Sequence, residues 1–218
     1  FVLPLACRRE HQPAPPTTSA ATQRSSLPGT DVTFFVAADP HFGLEGMVEL
    51  NGRQIAAMHD LSGTPWPGDV GGRVDEPRGV LIAGDLTEHG GEDEWRQFLA
   101  HYGDEGRLKW PVYEGRGNHD DDYIGDLYDA IAERHGSLPY AWNWHDVHFV
   151  CLDVYPSPEN VEWLKAYLKG VGRKRPLVMY FHYPPSGYRS DWWPDEDKEQ
   201  FARAIAGHNV VAIFCGHN

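Results

Sequence analysis

The chain has 218 residues, 41% of them hydrophobic and 23% charged, which is enough material and the usual balance for one folded domain with a sizeable core. A formal net charge of −13 argues against broad binding to nucleic acid or to an anionic membrane, because both need a basic surface. No apolar run approaches the ~18 residues of a membrane span, and acidity leaves a phosphate substrate possible because bound cations invert the local field.

In chain order, the opening Phe-Val-Leu-Pro-Leu-Ala-Cys reads as the tail of a secretory signal, and small Ala6 before Cys7 as a lipid-anchoring site. Residues 8–30 are rich in Pro, Ser and Thr and too poor in apolar side chains to fold, so 1–30 is expected to be a signal remnant and a disordered tether. That combination points to an exported protein, periplasmic, extracellular or lipid-anchored. The folded domain is expected over 31–218. Strands are predicted over 32–38, 79–83, 111–114, 148–154, 177–181 and 210–214. Helices are predicted over 92–101, 124–135, 159–169 and 196–206, the third from Val161, Leu164 and Leu168 at helical spacing. The Trp- and Gly-rich stretch 60–77 breaks the alternation and reads as a long loop. Cys151 and Cys215 sit in apolar runs as small buried hydrophobes, and the absence of Cys-x-x-Cys argues against a thiolate zinc site. Strands alternating with helices predict a largely parallel sheet covered on both faces, with chemistry beyond the carboxyl ends of its strands.

The polar residues obey that rule. The first strand ends in Asp39-Pro40-His41 and the second in Asp85. The third leads into Gly117-Asn118-His119-Asp120, a later one ends in His182, and the last ends in Gly216-His217. Each alone has an ordinary explanation: an Asp after a strand caps or turns, a lone His is usually structural, and Gly-Asn is a favoured turn. Packing does not require Asp, Asn or His after five separate strands, so a shared metal site is the better reading.

This ordered set of Asp-x-His, Gly-Asp, Gly-Asn-His-Asp, His and Gly-His resembles the calcineurin-like metallophosphoesterase superfamily over about residues 31–218. The resemblance implies an α/β fold, a four-layer α/β/β/α sandwich of two mixed sheets, with two metal ions at the sheet edge. It implies that Asp39 and His41 hold the first ion, that Asp85 bridges, and that Asn118, His182 and His217 hold the second. The superfamily's last motif is Gly-His-x-His, and this sequence stops at Asn218, one residue short of the second His; the expectation is a domain truncated there, with a weakened first site. Oxygen and nitrogen ligands without thiolate suit two divalent or trivalent ions among Mn, Fe, Zn, Co and Ni.

The expected reaction is hydrolysis of a phosphomonoester or phosphodiester of a small molecule, lipid or nucleotide, by a metal-bridging hydroxide. His119 is the candidate general acid for the leaving alkoxide, and Asp120 the candidate that orients its ring. Arg116 is a weaker candidate for bidentate contact with the substrate phosphate. Thr87, Glu88 and His89 line the pocket or cap the next helix. The rival readings are a nuclease of the same superfamily, disfavoured by the acidic charge, and a non-catalytic metal-binding module, disfavoured by the presence of both His119 and Asp120.

Overall fold

A computed structural model describes residues 31–68, 70–122 and 124–217; the signal remnant and tether expected over 1–30, the anchoring site expected at Cys7 and the terminal Asn218 lie outside the described residues. Strand β1 (Phe35–Ala37) is followed by helix α1 (Met47–Leu61), β2 (Val80–Ala83), α2 (Glu92–Tyr102) and β3 (Val112–Gly115). All four residues of β2 are buried, as its unbroken apolar run requires of a central strand, and it pairs in parallel with β1 and with β3. A small hairpin, β4 (Asp121–Asp122) and β5 (Gly125–Asp126), then precedes α3 (Tyr128–His135).

The second sheet runs in the order β6 (Tyr140–Trp144), β7 (Val147–Cys151), β8 (Pro176–Tyr180) and β9 (Asn209–Phe214). Helix α4 (Pro158–Val171) links β7 to β8, and α5 (Asp195–Ile205) links β8 to β9. Ser157 caps α4, its hydroxyl accepting from the Asn160 N–H at 3.2 Å, and Pro158 opens the first turn where its missing N–H costs nothing.

Two mixed sheets were expected, and the first is instead wholly parallel. Both of its links are long enough to carry a helix, whereas β6 and β7 are joined by the two residues His145 and Asp146 and must run antiparallel. Among the described residues the second sheet is the mixed one.

The period-two alternation of strands sorts side chains into two cores. Phe149 and Cys151 of β7 and Val178 and Tyr180 of β8 face the first sheet, where Phe149 meets Phe34 edge-on at 5.3 Å. Val150, Leu177 and Met179 face the other way, onto Val161, Leu164 and Leu168 of α4 and Phe201 of α5. On the far side of the first sheet, Ile55 and Met58 of α1 and Phe98 and Tyr102 of α2 close the larger core. The layers are therefore helix, sheet, sheet, helix.

Helix α3 begins at Tyr128 and not at 124, because Gly125 and Asp126 pair with Asp121 and Asp122 in the hairpin. The stretch 60–77 contains the end of α1 and an isolated bridge between Pro65 and Arg73. Two elements carry no expectation from the sequence. Helix α1 is only weakly amphipathic and contains Asn51 and Gly52, while β6 shows its period in Tyr140, Trp142 and Trp144 alone. Among the described residues no helix is long and apolar enough to cross a membrane.

The inter-sheet core should dominate stability. Phe149→Ala, at a fully buried position, is expected to lose about 3–5 kcal/mol in denaturant unfolding. Val211→Ala, on the exposed side of β9, should lose less than about 0.5 kcal/mol.

Candidate metal centre

The carboxyl ends of β1, β2, β3, β8 and β9 deliver their polar residues to one rim. Asp85 lies at its middle. Asp39, His41 and Asp85 can each place one donor atom within 4.8 Å of the others', and so can Asp85, His182 and His217. Asp85 is common to both triads. Its Oδ2 is 3.1 Å from His182 Nε2 and 3.6 Å from His41 Nε2, while its Oδ1 accepts the His119 N–H at 3.0 Å. Asn118 joins the second triad, its Oδ1 3.1 Å from His182 Nε2. All six residues expected as ligands are thus brought together, with Asp39 accepting the His217 N–H at 3.0 Å.

Local backbone explains how the chain does this. Asp39, His41, Asp85 and His217 all adopt positive φ, between 42° and 66°, a region that costs an L residue about 1–3 kcal/mol. Each turns sharply off its strand and aims its side chain across the sheet edge. Glycines make room for the convergence. At Gly84, with φ of 85°, an added Cβ would lie 2.7 Å from the Gly117 nitrogen and from His182 Nδ1. At Gly117 it would collide with the Asp85 carboxylate. The Gly-Asp and Gly-Asn pairs of the sequence are therefore packing requirements of the site.

Electrostatics suit a cation. His182 Nδ1 donates to the Ala83 carbonyl at 2.9 Å, so in the neutral ring Nε2 presents a lone pair. That lone pair meets Asp85 Oδ2, Asn118 Oδ1 and His217 Nδ1, all at 3.1 Å. With that ring neutral, four electron-rich atoms so close repel one another unless a positive charge, a proton on Nε2 or a metal ion, sits among them. Burial opposes charge on His182, yet Asp85 draws a proton onto the ring and raises its pKa. Burial likewise opposes ionisation of Asp85, and His182 with the His119 N–H overcomes it and holds the carboxyl below its usual range. Asp39 is pushed up by burial. Burial and the neighbouring His182 bring His217 down to about 4, so it is a neutral lone-pair donor at pH 7. The donor set fits metal ions and contains no thiolate.

His119 stands beside the first triad, its ring 4.9 Å from that of His41 and at 83° to it. The expectation that Asp120 orients this ring is corrected. Asp120 is fully buried and faces away: Oδ1 accepts from the Thr87 N–H and hydroxyl, both at 2.8 Å, and Oδ2 from the N–H groups of Leu86 and Gly117. Burial pushes its carboxyl up to about 6, against the pull of those donors. Asp120 therefore ties the loop after β2 to the loop after β3. The ring of His119 is held by Glu88 instead, whose backbone carbonyl accepts from Nδ1 at 2.8 Å. A carbonyl only accepts, so Nδ1 carries a proton and Nε2 is the nitrogen left for another partner. The Glu88 carboxylate reaches 2.8 Å from His41 Nδ1, so one residue spans both rings.

Arg116 also differs from expectation. Its guanidinium makes a two-pronged bond to Asp153, at 3.0 and 2.9 Å, and a third to Asp126 at 2.7 Å. The fork that would grip a phosphate is filled by carboxylates, whose charge raises the Arg116 pKa against the effect of burial. Asp153, just beyond β7 and itself at positive φ, is another strand-end carboxylate that the same rule could have flagged. An open cleft of about 310 Å³ adjoins Asn118, between Arg116, Asp153, Tyr155 and Tyr183.

A family model described as calcineurin-like phosphoesterase matches residues 32–218. No curated protein matches the chain.

Asp120→Asn tests the tie. An amide nitrogen cannot accept, so two buried donors lose their partner. The unfolding free energy should fall by about 2–4 kcal/mol, read by denaturant titration. A variant as stable as the parent would contradict this assignment.

Proposed function

Because the chain belongs to the calcineurin-like phosphoesterase family, we propose that it hydrolyses phosphoester bonds with two metal ions, Asp39 and His41 holding one, Asn118, His182 and His217 the other, and Asp85 both. One observation carries the assignment: two ligand triads share a single carboxylate, which is what two neighbouring ions with a bridging ligand require. When bound, the ions supply an activated water and the positive charge that phosphoryl oxygens need.

The remaining tasks fall to the chain. His119 Nε2 gives its proton to the leaving oxygen as the ester bond breaks. Glu88 keeps the proton on Nδ1 and so reserves Nε2 for transfer. Asp120 fixes the two loops that carry Asp85 and His119. Tyr155 and Tyr183, stacked at 5.7 Å, form an apolar wall of the adjoining cleft for the organic part of the ester.

Turnover of p-nitrophenyl phosphate or bis(p-nitrophenyl) phosphate in added Mn is the direct test, with chelator expected to abolish it and fresh Mn to restore it. In His119→Ala the bound metal, measured by mass spectrometry, should stay at the parent level while kcat falls about 10²–10⁴-fold. Unchanged turnover would remove His119 from the acid role. Loss of metal from this variant would make it a ligand instead.

A further inference from the structure

With Arg116 committed to Asp153 and Asp126, the site described so far has no free cationic side chain for a phosphoryl group. The segment after His182 contains one. It runs through Tyr183 to a 3₁₀ turn (Ser190–Trp192) and then into α5. Trp193 anchors it from below, buried against Phe181 at 5.3 Å and Phe201 at 5.7 Å. Trp192 points the opposite way, its ring 4.7 Å from that of His217 and 5.8 Å from that of Tyr183. The turn therefore hangs over the second ligand triad.

Arg189 opens this turn. We propose that Arg189 grips the phosphoryl group of the substrate, and that its charge fits the site to phosphomonoesters over phosphodiesters. The inference rests on the phosphoesterase reading above.

An exposed arginine is ordinarily just solvated, and three features set this one apart. Among the described residues it pairs with no carboxylate, in a chain whose acidic residues outnumber its basic ones by 32 to 19. Its backbone is held at φ of 55°, in the left-handed region, by a turn in which its carbonyl accepts the Trp192 N–H at 3.3 Å. Its guanidinium packs on the Tyr188 ring at 5.1 Å, which limits the positions it can take. Its charge also reaches the His217 ring.

The preference for monoesters follows from charge. Near neutral pH a monoester carries almost two negative charges and a diester one, so a planar, permanently charged fork gains more from the monoester's extra anionic oxygen. The cleft beside Asn118 does not supply that charge, since its lining carries Asp121 and Asp153 against the single, already paired Arg116.

The test compares the parent with Arg189→Ala and Arg189→Lys, all loaded with Mn, on p-nitrophenyl phosphate and bis(p-nitrophenyl) phosphate. Arg189→Ala should lower kcat/KM for the monoester about tenfold or more and for the diester less than about threefold, with bound metal and melting temperature unchanged. Arg189→Lys should recover part of the monoester loss, because it restores the charge without the fork. Equal losses on both esters, or none on the monoester, would overturn the proposal. If the parent turns over neither ester, the phosphoesterase reading fails, and calorimetric binding of inorganic phosphate to the Mn-loaded proteins still decides the role of Arg189. It should weaken about tenfold in Arg189→Ala, and equal binding would remove Arg189 from the site.

Discussion

The structure is organised around a repulsion. Asp85, Asn118 and His217 each bring a donor atom to 3.1 Å from His182 Nε2, a cluster that repels unless a proton or a cation sits in it. Three devices hold it. Asp39, His41, Asp85 and His217 accept left-handed backbone; Gly84 and Gly117 give up side chains to let strand ends touch; and the Ala83 carbonyl fixes the His182 ring. The strain amounts to ~1–3 kcal/mol for each such residue, and packing of the two sheets offsets it. A rim assembled this way is preorganised for cations, since the cost of gathering the ligands is met by folding.

Neighbours in sequence are not partners in space here. His119 and Asp120 are adjacent, yet one faces the rim and the other the interior, where it closes a knot of four donors. The residue that acts on His119 is Glu88, from the other loop, and it reaches His41 as well. Arg116 illustrates the same point. Its position beside the ligands suggested phosphate, but three bonds to Asp153 and Asp126 make it a brace between the β3 loop, the hairpin and the end of β7.

Much of this was legible in the sequence, for a definite reason. Unbroken apolar runs such as Val80–Ala83 mark buried strands, and the residues just after them are placed by chain geometry, so the residues that gather at the rim could be named before any coordinates. Helix α4 was equally clear from Val161, Leu164 and Leu168. What stayed hidden depends on long-range contact. The aromatic alternation of β6 is short, α1 has a weak apolar stripe, and the pairing of Arg116 with Asp153 joins residues 37 apart. The pairing of β4 with β5 replaced the expected first turn of α3 because Gly125 and the run of aspartates favour a turn over a helix start.

The rim is also a seam. Asp39, His41, Asp85 and Asn118 follow strands of the first sheet, and His182 and His217 follow strands of the second. Elsewhere the two sheets meet through side chains such as Phe34 and Phe149, which grip by contact area and have no directional preference against sliding. Ions coordinated from both sides would act as rivets, resisting shear of one sheet past the other at the rim. Metal affinity and mechanical coherence of the sandwich would then be one property, so that ligand loss loosens the fold and a loosened fold sheds its ions.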